Sequence, residues 1–244
     1  MEEKFKQKFY SQQNKEKKKY LCATAQVLYK SQKHTASYTT TVCGREFIVL
    51  PNVFSPKYFY DTEIFTRWLL KNKKYVDVGK SFCEIGSGTG AVSVSVALTG
   101  VNVTAVDINE QAVRNTRLNV QKYNVADRVH VFVGNIFDPF MAQQKFDTIF
   151  WNTPFGFIER ADLSPLEKSV FDSGYKATEQ FLRQAPQHLK PQGTILIGYS
   201  NTLGDVDLLQ NIARSAKLHL QRVKQTKSVE VHPVTFDLYE VVTA

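Results

Sequence analysis

A chain of 244 residues with 43% hydrophobic content can bury one sizeable α/β core, whereas two full domains would be cramped. Its 31 Lys and Arg against 23 Asp and Glu leave a net charge of +8, which favours polyanionic surfaces without selecting one. Cys22, Cys43 and Cys83 are too scattered for a disulfide framework or a zinc site, and no stretch approaches about eighteen consecutive apolar residues.

The first twenty residues are lysine-rich: Lys4, Lys6, Lys8, Lys15, Lys17, Lys18 and Lys19 face only Glu2, Glu3 and Glu16. They read as a solvated helix or tail, with an electrostatic docking arm as the alternative. Nothing there has the apolar core of a secretory signal, so the expectation is a soluble, cytoplasmic protein with free thiols and no membrane contact. The five histidines have no ligand spacing, and no metal is expected. Residues 39–42 and 46–50 are β-prone runs around Cys43-Gly44-Arg45, a hairpin leading to a Pro51-Asn52 turn. A helix follows from Asp61, read as its N-cap, with Ile64, Phe65, Trp68 and Leu69 on one face. Residues 1–60 thus read as a basic helical and hairpin extension, and residues 61–244 as the main domain.

After Gly79 strands and helices alternate. Strand 81–85 enters a glycine-rich loop that opens helix 91–98; strand 101–106 ends on Asp107; helix 109–123 precedes strand 128–133; strand 146–151 ends on Asn152. Residues 156–175 read as a loop able to close over a substrate. Helix 178–189 carries Pro186, which should kink or shorten it, and Lys190-Pro191-Gln192-Gly193 turns into strand 194–199. A helix over 206–216 and strands 218–229 and 234–242, linked through His232-Pro233, close the chain. This alternation implies a parallel sheet covered on both faces, and the short last link makes one closing strand antiparallel.

Gly86-Ser87-Gly88-Thr89-Gly90 forms a side-chain-poor turn at the carboxyl end of the sheet, where backbone can approach a ligand closely. Gly86-x-Gly88-x-x-Ala91 also satisfies the relaxed dinucleotide fingerprint, and Asp107 lies about 20 residues on, where either cofactor presents ribose hydroxyls. Three features separate the two readings: Glu84 two residues before the first glycine, the third glycine at Gly90, and Asn152-Thr153-Pro154-Phe155 after the fourth core strand. Hydride transfer has no obvious use for that tetrapeptide.

With these residues the chain resembles class I S-adenosylmethionine-dependent methyltransferases that alkylate a planar nitrogen and carry an Asn/Asp-Pro-Pro-Tyr/Phe tetrapeptide. The resemblance covers roughly residues 45 to 242. It is most similar to the glutamine methyltransferases of peptide release factors, through Pro56, Asp61-Thr62-Glu63 and the acidic-glycine stretch Asp172-Ser173-Gly174. Val53-Phe54-Ser55 is also similar to ribosomal RNA guanine methyltransferases. The implied fold is Rossmann-like, a doubly wound, seven-stranded mixed sheet with an antiparallel C-terminal hairpin. The implied cofactor, S-adenosylmethionine, is expected against Thr62, Glu84, Gly86, Ser87, Gly88, Gly90, Asp107, Ile108 and Asn152. Asn135 is expected to accept from the adenine amine and Ile136 to pack on the ring. Glu84 has a second reading, satisfying loop amides, because a buried carboxylate is costly unless it is hydrogen-bonded.

The chemistry accounts for the tetrapeptide. An amide or exocyclic-amine nitrogen attacks a methyl sulfonium only when acceptors hold its N–H groups and keep its lone pair on line. Asn152 offers its side-chain oxygen, Thr153 its backbone carbonyl, Pro154 rigidity and Phe155 a stacking face. The same acceptors stabilise the charge developing on nitrogen. Thr153 departs from the family's proline and leaves the carbonyl less rigidly presented. Arg160 and Lys168 either solvate their loop or meet an anionic substrate. Four functions stay open: methylation of a glutamine on a release-factor-like protein, methylation of an adenine or guanine amine in nucleic acid, methylation of a small-molecule amine, and non-catalytic binding on this scaffold.

Overall fold

The computed structural model describes residues 19–228 and 234–243. The lysine-rich run up to Lys18 and the His232-Pro233 link lie outside them. A first helix, α1, is described over residues 19–32. It is followed by a hairpin of β1 (Tyr38–Val42) and β2 (Arg45–Val49). Both turn residues have positive φ, Cys43 at 50° and Gly44 at 75°, the two-residue geometry that matches strand twist. Val42 and Phe47 turn their side chains into the main core.

Helix α2 (Asp61–Leu70) begins one residue earlier than a cap at Asp61 would require. Its N-cap is Tyr60, with no side-chain bond, and Asp61 is the first helical residue. The amides of Asp61 and Thr62 favour the charged form of this carboxylate, whose place is inside the helix start.

The central sheet has the order β10-β11-β9-β6-β3-β4-β5. Its strands are β3 (Ser81–Ile85), β4 (Asn102–Asp107), β5 (Val129–Val133), β6 (Phe146–Asn152), β9 (Leu189–Tyr199), β10 (Leu218–Lys227) and β11 (Thr235–Thr243). β11 alone runs antiparallel to both its neighbours, so the doubly wound mixed sheet and its closing hairpin are as expected. One face is covered by α2, α3 (Ala91–Ala97) and α4 (Glu110–Lys122), the other by α5 (Lys176–Gln184) and α6 (Val206–Ser215). The chain order reverses between β3 and β6, the switch point at which open α/β sheets bind ligands.

Pro186 shortens the helix expected over 178–189, as its missing N–H dictates: α5 ends at Gln184 and a 3₁₀ turn follows over Ala185–His188. Two local expectations are corrected. The strand expected from residue 194 starts at Leu189: residues 190–193 are a bulge within β9, where pairing with β6 skips from Leu189 to Thr194 and Gln192 takes φ 63°. The segment expected to be a loop carries a short parallel pair, β7 (Gly156–Ile158) and β8 (Phe171–Ser173). Between them Leu163, Leu166 and Val170 pack with Phe171 and with Leu28 of α1, forming a small core apart from the two that flank the sheet.

Candidate active site

The glycine loop is held from below by a buried polar stripe on α4. Thr116 Oγ1 donates to the Gly88 carbonyl at 3.2 Å and meets Ser87 Oγ at 3.0 Å. Asn119 donates to the Thr89 carbonyl at 2.8 Å and, with Asn115, also satisfies the backbone of Ile48 and Leu50 at the edge of β2. One helix face therefore ties the hairpin to the loop. A side chain at Gly90, φ 76°, would meet Thr116 Cγ2 at 2.8 Å, so this glycine permits the close contact of α3 with α4. A Cβ on Gly86 would lie 3.1 Å from the indole nitrogen of Trp151, whereas Gly88 has only Phe54 at 4.0 Å.

Above the loop lies a cavity of about 430 Å³. Its floor brings together Thr62, Glu84, Gly86, Ser87 and Gly88 with Asp107 and Ile108. Asn135 and Ile136 form one wall, and Asn152 and Pro154 the end of β6. Gly90, Thr153 and Phe155 do not line it. Gly90 is turned to α4, and the Phe155 ring packs beside Tyr199 and Phe236, with centroids 5.9 and 6.2 Å away. Stacking of Phe155 on a planar group in this cavity is thus not what the geometry presents. Its carbonyl is held by Tyr175, whose hydroxyl donates to it at 2.6 Å while accepting from the Asp205 amide at 2.9 Å.

Each carboxylate here is buried and so holds its proton more tightly than usual. Burial pushes Asp107 up to about 6, although its oxygens accept the Gly88 and Asn109 amides at 2.8 Å each. Burial also pushes Glu84 up to about 8, against bonds from the Ser93 amide and hydroxyl and with added repulsion from Asp107. Glu84 thus accepts from the amide and hydroxyl of Ser93 in the first turn of α3 while also lining the cavity.

At the wall, Asn135 donates through Nδ2 to Gln180 at 3.0 Å, which leaves its oxygen to accept. Ile136 has φ 52°, an outlier for a β-branched residue at the edge of a ligand-sized cavity. At the end of β6, Asn152 Nδ2 donates to Asp61 Oδ2 at 2.6 Å. Asn152 Oδ1 is buried without a hydrogen-bond partner among the described residues. Thr153 donates both its amide, at 3.1 Å, and its hydroxyl, at 2.9 Å, to the carbonyl of Gly198. The threonine thus fixes by two bonds the turn that a proline would fix by its ring.

Sequence reasoning missed Trp151, Leu166, Phe171, Lys176 and Gln180, which also border the cavity. Trp151 precedes Asn152 on β6; the others come from the roof segment and α5, and no motif marks them.

Residues 44–227 match the family model of the methyltransferase small domain. The chain belongs to this family. Among curated methyltransferases it is similar to the release factor glutamine methyltransferase of Gloeobacter violaceus, 28% identical over 189 residues, covering 68% of this chain and 65% of that protein. A bifunctional methyltransferase of Rickettsia prowazekii is 30% identical over 187 residues, covering 64% of this chain and 36% of that one. The chain thus spans only about a third to two thirds of such relatives. In fold, this methyltransferase small domain is similar to a T. thermophilus 16S rRNA N2 G1207 methyltransferase solved with AdoMet and guanosine (TM-score 0.58, 17% identity, 82% of this chain and 49% of that one). It is also similar to a protein assigned as a methyltransferase and solved with S-adenosylhomocysteine (TM-score 0.62, 16% identity, 85% and 57%). Among the described residues no helix is long and apolar enough to cross a membrane, and no group of three His, Cys, Asp or Glu stands ready for a metal.

Proposed function

We propose that this chain transfers a methyl group from S-adenosylmethionine to a planar nitrogen, with the side-chain amide of a protein glutamine as the acceptor. The observation that carries this is the buried, unpartnered oxygen of Asn152 at the end of β6, beside the glycine-loop cavity. A buried acceptor left without a partner is costly, and an N–H entering the cavity would relieve it. The donor set fits the cofactor: close-approach backbone at Gly86 and Gly88, a carboxylate at Asp107 for ribose hydroxyls, and a free amide oxygen on Asn135 for an adenine amine.

When bound, S-adenosylmethionine supplies an electrophilic methyl group. Asn152 Oδ1 accepts one N–H of the incoming amide and so turns the nitrogen lone pair out of conjugation. The same oxygen stabilises the positive charge that develops on the nitrogen, whose surplus proton then passes to solvent. The name of the Gloeobacter violaceus relative favours a glutamine in a release factor.

A second reading, methylation of an exocyclic base amine in nucleic acid, is favoured by Lys168 and Lys176, both exposed at the cavity border. Tritiated-methyl transfer to purified release factor and to total RNA separates the two. Label on glutamine supports the first reading, whereas label on RNA with steep salt dependence supports the second. Asn152→Ala should lower transfer about 10²- to 10³-fold. Unchanged transfer by that variant removes the mechanism.

A further inference from the structure

The unpartnered oxygen of Asn152 points where it does because of its other end. A primary amide can place either its oxygen or its nitrogen on a given side, and rotation by half a turn exchanges them; here Oδ1 lies buried beside the cavity that Asn152 lines. An ionised carboxylate only accepts, so the atom facing Asp61 Oδ2 at 2.6 Å has to be Nδ2, and Oδ1 has to face the other way. Asp61 is buried and does not itself line the cavity, although its neighbour Thr62 does. The two partners stand 91 positions apart, one at the start of α2 and one at the end of β6.

We propose that Asp61 is the positioning residue that locks the Asn152 amide with its oxygen toward the acceptor nitrogen, an inference that rests on the methyl-transfer reading above. The carboxylate is buried at the helix start, where the nearby amides of Asp61 and Thr62 favour its charged form. Burial raises its proton affinity only to about 6, so it is ionised at neutral pH.

The consequence for a neutral replacement is specific. In Asp61→Asn the amides of the helix start favour an oxygen on their side, which turns the new NH₂ toward Asn152. The productive orientation then sets donor against donor, and the Asn152 amide turns over to bring its oxygen to residue 61. The exchanged pair Asp61→Asn with Asn152→Asp restores a donor meeting a carboxylate, and leaves one carboxylate oxygen for the acceptor.

The experiment compares wild type, D61N and D61N/N152D. Tritiated-methyl transfer is measured to a mixture of glutamine-containing peptides and to total RNA. Affinity for S-adenosylhomocysteine is measured by calorimetry, and the Asn152 side-chain amide is followed by ¹⁵N NMR. The expected result is a fall in kcat of about 10- to 100-fold for D61N, the penalty of a buried donor without an acceptor. Cofactor-product affinity should stay within threefold, the Asn152 amide signals should shift, and the exchanged pair should regain most of the lost rate. D61N within twofold of wild type, or a rate loss that follows the loss of S-adenosylhomocysteine affinity, overturns the proposal. If wild type labels neither peptide nor RNA, the methyl-transfer reading fails instead. The NMR comparison then still decides the pairing, and identical Asn152 signals in wild type and D61N refute it.

Discussion

Replacing Glu84 by Gln gives the sharpest test of how this site treats buried charge. Glu84 sits inside β3 with Ser93 as its donor, and burial holds its proton up to about 8, against an ordinary value of 4.5. The unfolded chain releases that proton near 4.5, so between the two values the folded state binds more protons than the unfolded one. Stability therefore falls as pH rises across this window. At about 1.4 kcal/mol per pH unit, the gap corresponds to about 5 kcal/mol, fully lost above pH 8. Gln has no proton to lose, and its oxygen still accepts the Ser93 amide. Urea melts of both proteins without cofactor, from pH 5 to 8.5, read the difference directly. The variant should match wild type within about 1 kcal/mol at pH 5. It should exceed wild type by several kcal/mol at pH 8.5. Parallel curves for the two proteins would refute the burial argument, because Asp61 and Asp107 titrate in both and cancel in the comparison.

Thr153→Val deletes one donor to the Gly198 carbonyl and should cost about 1 kcal/mol, whereas Thr153→Pro deletes both and should cost about 1–3 kcal/mol. Equal melting temperatures for the two would mean that the second bond contributes nothing. Gly90→Ala adds left-handed strain of about 1–2 kcal/mol and a clash against Thr116 of about 1–3 kcal/mol, measurable as a lower urea midpoint. An unshifted midpoint there would contradict the tight contact of α3 with α4. Asp61 and Asp107, each pushed up to about 6, are charged at pH 7 and neutral by about pH 5, so methyl transfer should decline as pH drops through 6. Their own contribution to folding moves the opposite way, because protonation relieves the burial cost; a rate flat from pH 7 to 5 would sink the assignment.

The sheet and its loop were legible because buried parallel strands leave apolar runs that end on chemistry: Ile85 before the glycines, Asp107, and Asn152. The bulge in β9 was hidden because Pro191 and Gly193 carry the same local signal whether they end a strand or interrupt one. β7 and β8 are three residues each, too short for alternation to register. Asp61 illustrates a different limit. An acid ahead of an apolar helix reads as a cap, and what gives it another role is Asn152, a partner that only the fold supplies. Phe155 is the converse case, in which a motif position predicts a stacking ring but tertiary packing against Tyr199 and Phe236 claims it.

Leu28, Leu163, Leu166, Val170 and Phe171 pack on one another as a body separate from the two layers that flank the sheet. The ceiling of the cavity and its floor thus rest on different foundations. A substitution at Leu166 or Phe171 reshapes that ceiling, and its cost falls on α1, far away in sequence, instead of on the strands that carry Asp107 and Asn152. On the methyl-transfer reading, the ceiling can be remodelled while the strands below keep their form.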